Sequence, residues 1–156
     1  MARTIHDRVK QETFEHPRQE ALINLLVTSG HYRQILNDIC RQFDITHDQY
    51  NVHRILKGVH PEGHPRNEII ERMIERTPDV TRLLDRLARK DLVCRTKSEV
   101  DLRLSIAKIT EKGIELLEQI DPEINSASRK FVKGVSEADL KQFSEFCNDM
   151  LANVTD

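Results

Sequence analysis

Apolar residues recur every three or four positions along most of this chain of 156 residues, which is the spacing of helices with one buried face. A weak stripe predicts a short helix over residues 4–14. A stronger stripe predicts a long helix over 18–43, with a bend or close packing at Gly30 because glycine weakens a helix interior. Thr46 and Gln49 match a capping box, which predicts that the next helix begins there. The pattern therefore indicates a mainly helical protein.

A short helix with two contrasting faces is predicted to begin at Pro78. Thr77 is placed to cap it, and proline is tolerated at the first helical position. One face is apolar and consists of Val80, Leu83, Leu84 and Leu87. The opposite face carries arginines, as expected of a helix that reads the major groove of DNA. By itself the pattern also fits a surface helix with a solvated charged face.

Another short helix is predicted immediately before it, over residues 66–75, after a loop at 60–65 that is rich in proline and glycine. Residues 75–77 then leave a turn of three residues between the two short helices. Two short helices joined by such a turn predict a helix-turn-helix.

A β-hairpin is predicted after this pair of helices. Its first strand covers residues 92–95, its polar tip 97–101 and its return strand 102–109. In the return strand, apolar residues alternate with polar or small ones. The apolar residues, which we expect to point inward, are Leu102, Leu104 and Ile106. The sequence therefore predicts a small β-wing.

Helices are predicted again in the C-terminal part of the chain. Thr110 is placed to cap the first of them, and Asp121-Pro122 either kinks that helix or begins a new one. Gly134 ends this pattern, and Ser136 caps a last helix with an apolar stripe. The expected fold class is mainly α with a small β-hairpin wing, a winged helix-turn-helix with additional N- and C-terminal helices.

Positive charge is concentrated around the predicted helix-turn-helix and wing. Residues 76–108 contain nine basic and five acidic residues, so this segment carries +4 and the rest −6 of a net charge of −2. A basic segment in an otherwise acidic chain is the charge distribution of a DNA-binding surface.

The chain shows the features of a cytoplasmic protein. No apolar run approaches the length of a membrane span, and the N-terminus lacks the apolar core of a signal peptide. Cys40, Cys94 and Cys147 are odd in number and widely spaced, which favours reduced thiols over a disulfide framework. We expect all three to be packed and inert rather than reactive.

Catalytic and metal-binding patterns are not evident. The sequence contains no Ser/His/Asp order and no glycine-rich phosphate loop, so an enzyme is not predicted. His53, His60 and His64 lie close together in the sequence, but no cysteine or further histidine pair completes a metal-ligand set. No cofactor and no metal are therefore expected.

Three stretches together resemble the MarR family of winged-helix transcription regulators. Residues 45–56 are similar to the family's second helix, and residues 79–93 to its recognition helix and the start of its wing. Asp101-Leu102-Arg103, followed by Thr110-Glu111-Lys112-Gly113, is similar to the wing tip and the helix after it. The resemblance covers about residues 18–155.

This resemblance implies a homodimer on a near-palindromic double-stranded DNA site, held by helices of residues 1–45 and 113–156, with residues 46–112 as the DNA-binding region. It places Arg103 in the minor groove, where a narrow groove attracts arginine. The expected DNA contacts, from the resemblance and the helix face together, are Thr77, Pro78, Thr81, Arg82, Arg86, Arg95, Lys97 and Arg103. Occupying promoter DNA makes a repressor the expected regulator.

The resemblance also implies a signal that releases DNA, either a small anionic or phenolic effector or oxidation of a thiol. Candidate effector-binding residues are His31, Tyr32, His53 and Arg54, whose alternative roles are surface or capping positions. The sequence also fits a different class of function, a winged-helix module that binds a protein partner without reading DNA. Steep salt dependence of binding to duplex DNA distinguishes the two.

Overall fold

The computed structural model describes residues 4–75, 79–101 and 103–154, so the predictions for Thr77, Pro78 and Leu102 lie outside the described residues. The helices in these ranges are α1 (Ile5–Val9), α2 (Pro17–Gln42), α3 (His47–Lys57), α4 (Arg66–Arg72), α5 (Val80–Arg89), α6 (Glu111–Phe131) and α7 (Glu137–Leu151). The strands are β1 (His64–Pro65), β2 (Val93–Lys97) and β3 (Ser105–Ile109). The fold is mainly helical with a small antiparallel sheet, as predicted.

The chain forms two compact units, residues 1–124 and 125–156. The first unit has one hydrophobic core, built mainly from aliphatic side chains of the helix-turn-helix and of the helices beside it. Its largest fully buried apolar side chains are Val52, Leu56, Ile69, Val80, Leu87 and Ile120. Burial of such side chains is the main favourable term in folding.

The sheet of the first unit has three strands in the order β1-β3-β2, all antiparallel. The sequence predicted only the hairpin of β2 and β3, because a strand of two residues that includes a proline carries no alternating pattern. Gly63 precedes β1 with a φ of +84°, and a Cβ at this position would lie 2.2 Å from the carbonyl oxygen of Ala107. This glycine allows β1 to approach β3.

The predicted helix caps at Thr46, Thr110 and Ser136 are confirmed. Thr46 Oγ1 accepts from the Gln49 N–H at 3.2 Å, and Gln49 Oε1 accepts from the Thr46 N–H at 2.9 Å, which completes the capping box of α3. Thr110 Oγ1 accepts from the Gly113 N–H at 3.1 Å, and Ser136 Oγ accepts from the Asp139 N–H at 3.1 Å. Capping depends on residues three apart, so the sequence reveals it directly.

Helix α5 begins at Val80, two residues later than predicted. Its N-cap is Asp79, whose carboxylate accepts from the Arg82 N–H at 3.1 Å. An aspartate caps at least as well as a threonine, and its charge interacts favourably with the helix dipole. The predicted cap at Thr77 is therefore replaced by Asp79.

The buried face of β3 is the opposite of the predicted one. Ala107 and Ile109 are buried, whereas Leu104 is 46% exposed and Ile106 is only partly buried. Leu104 precedes the strand, which begins at Ser105. Since side chains alternate with a period of two, a shift of one residue reverses the faces.

Three further details differ from the prediction. The predicted helices over 4–14 and 66–75 are shorter, ending at Val9 and Arg72. Helix α2 runs through Gly30, where an added Cβ would meet no atom of the described residues within 4 Å, so none of these residues packs closely there. Helix α6 continues through Pro122 to Phe131 and no new helix begins at the proline.

The second unit contains the end of α6 and the whole of α7. No residue of α7 is buried, and the exposed apolar side chains include Phe143, Phe146, Met150 and Leu151. Throughout the described parts of the chain, no helix is both long and apolar enough to cross a membrane.

Candidate nucleic-acid interface

Helix α5 separates apolar from polar side chains around its circumference. Val80, Leu84 and Leu87 are buried against the core, whereas Arg82 and Arg86 are exposed, together with Thr81. The apolar face fixes the helix on the first unit, so its arginines are presented to solvent on a rigid element. This is the arrangement that a helix entering the major groove requires.

Arg82 is held near the N-terminus of α5 by the cap residue. Its Nε lies 3.0 Å from Asp79 Oδ2, and its side chain is 78% exposed. The pairing uses Nε, so the two terminal Nη nitrogens remain available to contact bases or phosphates. Exposure of this kind makes the ion pair weak, so a DNA contact can replace it at little cost.

Arg95 connects the wing to α5 rather than projecting from it. Its Nη1 lies 2.9 Å from Asp85 Oδ1, and its Nη2 donates to the carbonyl oxygen of Thr81 at 3.3 Å. Both contacts tie strand β2 to the helix that carries Arg82. Arg95 therefore links the wing to α5, a role that the sequence did not indicate.

Arg66 is a basic residue of this surface that the sequence interpretation missed. It begins α4, and its Nη1 donates to Thr81 Oγ1 at 3.5 Å. Arg66, Thr81 and Arg95 line a cleft of about 100 Å³. Arg66 directly follows Pro65 in the sequence, which ends the loop there, but nothing local shows that it meets α5.

The wing tip is a closed turn that holds Arg103 outward. Asp101 Oδ1 accepts from the Arg103 N–H at 2.9 Å, and Ser98 Oγ accepts from the N–H groups of Val100 and Asp101 at 3.2 Å each. The Ser98 N–H donates to the Leu104 carbonyl at 2.9 Å, which closes the loop. Asp101 thus fixes the backbone of the wing tip at Arg103, whose side chain is exposed.

Lys97 lies at the end of β2, where it pairs with Ser105 of β3. Its side chain is exposed and borders a cleft that also contains Glu62, Glu99 and Lys108. With Arg103 it gives the wing two exposed cations besides Arg95. The proposed contacts therefore divide into three on α5, two on the wing and one between them, with Thr77 and Pro78 outside the described residues.

The four candidate effector residues differ in their surroundings. His31 is exposed on α2 and Tyr32 is half-buried against the core. His53 is fully buried, whereas the neighbouring Arg54 is exposed. Consecutive helical residues point in different directions, so His53 and Arg54 do not share a face of α3.

Arg54 takes part in a polar cluster that joins α3 to α6. Its Nη1 lies 2.8 Å from Asp121 Oδ2, and the Tyr50 hydroxyl donates to Asp121 Oδ1 at 2.8 Å. Burial and this hydrogen bond raise the pKa of Tyr50 above its usual range, so the phenol stays protonated. Asp121 therefore fixes the helix-turn-helix to the first part of α6.

His53 is a neutral core histidine. Its Nδ1 lies 2.9 Å from the Gln49 carbonyl oxygen, which makes Nδ1 the donor, and its Nε2 has no partner within the described residues. Burial lowers its pKa from 6.5 to about 4. Protonation of His53 would place a charge in the core. Between pH 6.5 and pH 4 the imidazole is therefore protonated in the unfolded chain and neutral in the folded one.

We therefore expect the free energy of unfolding to decrease as the pH falls from 6.5 towards 4. The expected slope is at most about 1.4 kcal/mol per pH unit, because the unfolded state binds more protons in this range. Urea unfolding at pH 7 and pH 5 measures the decrease. The His53→Gln substitution should remove the part of this decrease that is due to His53, and the control substitution His31→Gln should leave that part unchanged. A His53→Gln protein as acid-sensitive as the wild type would contradict the assignment.

The three thiols are free and differ in accessibility. Cys40 is buried, and burial raises its pKa to about 11, which makes it unreactive. Cys94 is exposed, contrary to the expectation that it is packed, because Val93 occupies the inward position at the start of β2. Cys147 is half-buried in the second unit. Among the described residues, no group of three His, Cys, Asp or Glu side chains is placed to hold a metal ion.

Comparison with known proteins agrees with this geometry. No family model matches the sequence. The HTH-type transcriptional regulator MhqR of Bacillus subtilis is 28% identical over 139 residues, which cover 87% of this chain and 92% of that protein. A MarR transcription factor from Planctomyces limnophilus shares 29% identity with a TM-score of 0.68, over 87% of this chain and 98% of that one. MepR of S. aureus, solved as a complex with DNA, shares 26% identity with a TM-score of 0.74, over 91% of this chain and all of that one.

The two short helices, the wing and the exposed basic face of α5 define a winged helix-turn-helix protein. In sequence and fold, the chain is similar to winged-helix transcription regulators of the MarR family. The proteins that it resembles are transcription regulators, and one of them was solved with DNA.

Proposed function

We propose that this chain binds a near-palindromic duplex operator as a homodimer and represses transcription by occupying promoter DNA. The main observation in support is the arrangement of α5, which buries Val80, Leu84 and Leu87 and exposes Arg82 and Arg86. The wing beside it exposes Arg103. The relative MepR was solved with DNA, which supports a DNA partner here. The relatives MhqR and MepR come from bacteria, in which promoter DNA lies in the cytoplasm, so we propose the same location for this chain.

The proposed contacts follow the geometry of the surface. Thr81, Arg82 and Arg86 contact base edges and nearby phosphates in the major groove. Arg103 enters the flanking minor groove, and Lys97 contacts phosphate. Arg95 acts by holding Thr81 and Asp85, and we add Arg66 as a phosphate contact beside Thr81. Thr77 and Pro78 complete the set proposed from the sequence.

Residues 46–112 are proposed as the DNA-binding region, and residues 1–45 and 113–156 as the helices of the dimer. The support is that α2 and α7 carry large apolar side chains that remain exposed in the single chain. Groups of exposed apolar side chains mark surfaces that bind another protein. On α2 these include Leu22 and Leu26. On α7 they include Phe143 and Phe146.

Replacing Phe146 with glutamate is expected to convert the dimer into a monomer, because the side chain is half exposed in the single chain and a charge in an apolar interface is costly. Sedimentation velocity measures the change. Lys141→Glu, on an exposed polar position of the same helix, should leave the dimer intact. A wild-type protein that sediments as a monomer would contradict the dimer, and a dimeric Phe146→Glu protein would exclude this face of α7.

Salt dependence separates a DNA-binding protein from a winged-helix module that binds a protein partner. The logarithm of the association constant for duplex DNA should fall linearly with the logarithm of the salt concentration, since each neutralised phosphate releases counterions. Lys97→Ala should weaken binding to all sequences alike and reduce the slope by about 1. Binding to duplex DNA that is absent or independent of salt would favour the protein-binding module.

A small anionic or phenolic effector is proposed as the signal. Arg54 is a candidate contact for an anionic effector, because its side chain is positively charged and 53% exposed. Its ion pair with Asp121 joins α3 to α6, so an anion bound there would affect the contact between these helices. His31 is also accessible, and Tyr32 is partly so. His53 would act indirectly, through the packing of α3.

A further inference from the structure

A basic cleft lies where three helices of the first unit meet, apart from the residues assigned to an effector. Its volume is about 380 Å³, and its walls come from the end of α2, the start of α3 and the end of α5. Four of its side chains are cationic and one is a carboxylate. The cations are Arg41, Arg86, Arg89 and Lys90, and the carboxylate is Asp44.

The positive charge of this basic cleft is only partly neutralised. Lys90 Nζ lies 2.6 Å from Asp44 Oδ2 and also contacts the Asp44 carbonyl oxygen. Arg41 Nη1 lies 3.3 Å from Asp38 Oδ1. Within the described ranges, Arg86 and Arg89 form no ion pair, so two guanidinium groups remain without a counterion.

Gln49 adds a side-chain amide to the lining of the same cleft. The residue is only 4% exposed, and its Oε1 accepts from the Thr46 N–H at 2.9 Å, which fixes the orientation of the amide. The residue is one of those that line the cleft. An amide whose oxygen accepts a hydrogen bond still has its NH₂ group as a donor, and a ligand oxygen in the cleft can accept from it.

The donors therefore approach the cleft from three helices. Arg41 comes from the end of α2, Gln49 from the first turn of α3, and Arg86 and Arg89 from α5. The N-terminus of α3 adds the positive end of its dipole. A planar carboxylate offers two oxygens in one plane, whereas a phosphate group offers oxygens in several directions and matches the fork of arginine.

We propose that the basic cleft binds a free, small phosphate-bearing anion. A volume of about 380 Å³ falls in the range of small-molecule sites, and a concave space of this size suits a compact ligand better than the convex backbone of a duplex. Ile45 is the one aliphatic side chain among the residues that line the cleft, so the ligand is polar.

Occupancy of the basic cleft also regulates DNA binding, a consequence that rests on the proposed function. Arg86 lies both in the cleft and on the face of α5 proposed to contact DNA. A bound anion withdraws its guanidinium from DNA, so the ligand and the operator compete. By linkage, DNA lowers the affinity for the anion by the same factor.

Titration calorimetry of the full-length protein with inorganic pyrophosphate tests the site without DNA. Ionic strength is kept constant with chloride. We expect saturable binding of one pyrophosphate per chain, weakened at least tenfold by Gln49→Glu and by Arg89→Gln. Glutamate at position 49 still accepts from the Thr46 N–H, so the capping box is kept while the donor is lost. Arg103→Gln, on the wing, should bind pyrophosphate as the wild type does.

Two results would overturn the site: no binding of pyrophosphate beyond that of chloride, or unchanged binding by both cleft variants. A parallel titration with duplex DNA separates the site from the proposed function. If pyrophosphate binds as expected and no duplex binds, the site stands and the proposed function falls. If pyrophosphate does not bind, and Arg89→Gln and Gln49→Glu weaken DNA binding as Arg82→Ala does, the cleft contacts the DNA backbone and the free anion is excluded.

Discussion

Replacing Arg82 with alanine is expected to weaken binding to the operator by about 1–3 kcal/mol and to relax the preference for one base in each half-site. The expected loss follows from geometry. Asp79 holds only the Nε of Arg82, so the outer nitrogens are free to form paired hydrogen bonds to a guanine. The buried side chains of α5 keep the backbone in place, so the substitution removes the contact and leaves the helix intact.

Arg72→Ala is the matched control for this substitution. Arg72 is an exposed arginine of α4 that pairs with Glu68, four residues earlier, and it lies outside the proposed surface. It should bind the operator as the wild type does. Arg103→Ala should weaken binding mainly at sites with A·T-rich flanks, where the minor groove is narrow. An Arg82→Ala protein that binds its operator within twofold of the wild type would show that α5 does not read bases.

Replacing Gly113 with alanine is expected to lower the free energy of unfolding by about 1–3 kcal/mol, the usual cost of overpacking. A Cβ at this position would lie 2.4 Å from the Leu92 carbonyl oxygen and 2.8 Å from Ile109 Cγ1. That carbonyl accepts from the Thr110 N–H at 3.2 Å, so it cannot move without disturbing the start of α6. The close contact fixes the wing against α6.

Gly30→Ala is the control for Gly113→Ala, because both glycines lie within helices. Among residues 4–75, 79–101 and 103–154, an added Cβ at Gly30 meets no atom within 4 Å, so alanine there should stabilise the chain by roughly 0.5–1 kcal/mol through helix propensity alone. Urea unfolding followed by circular dichroism compares the two. A Gly113→Ala protein as stable as the wild type would show that α6 and the start of the wing are not in close contact.

The features that the sequence predicted well depend on neighbouring residues. The capping box of Thr46 and Gln49 is confirmed because its two hydrogen bonds join residues three apart. The apolar face of α5 is confirmed because a helix places Val80, Leu84 and Leu87 on one side whatever surrounds it. These local features were enough to predict the winged helix-turn-helix.

The features that the sequence could not predict depend on tertiary contacts. Strand β1 exists because Gly63 lets residues 64–65 approach β3, and two residues carry no pattern. The reversed face of β3 arose because Leu104 was counted as part of the strand although it belongs to the wing tip. Pro122 remains within α6, although proline usually ends or kinks a helix.

The same reason explains what was missed in the candidate site. The contacts of Arg95 with Asp85 and Thr81 were not predicted, because these partners lie ten and fourteen residues earlier on a different element. Arg66 meets Thr81 across fifteen residues. The basic cleft brings Arg41 close to Arg89, although they are far apart in the sequence. No helical or strand period connects such residues.

The most direct test of the central claim is fluorescence anisotropy of the purified protein on two labelled duplexes at roughly physiological salt. One duplex carries the region upstream of the protein's own gene and the other a scrambled sequence of the same composition. We predict dissociation constants on the order of 10⁻⁸ M or lower for the first, and at least about a thousandfold higher for the second. Equal, weak and salt-insensitive binding to both would contradict a sequence-specific DNA-binding regulator.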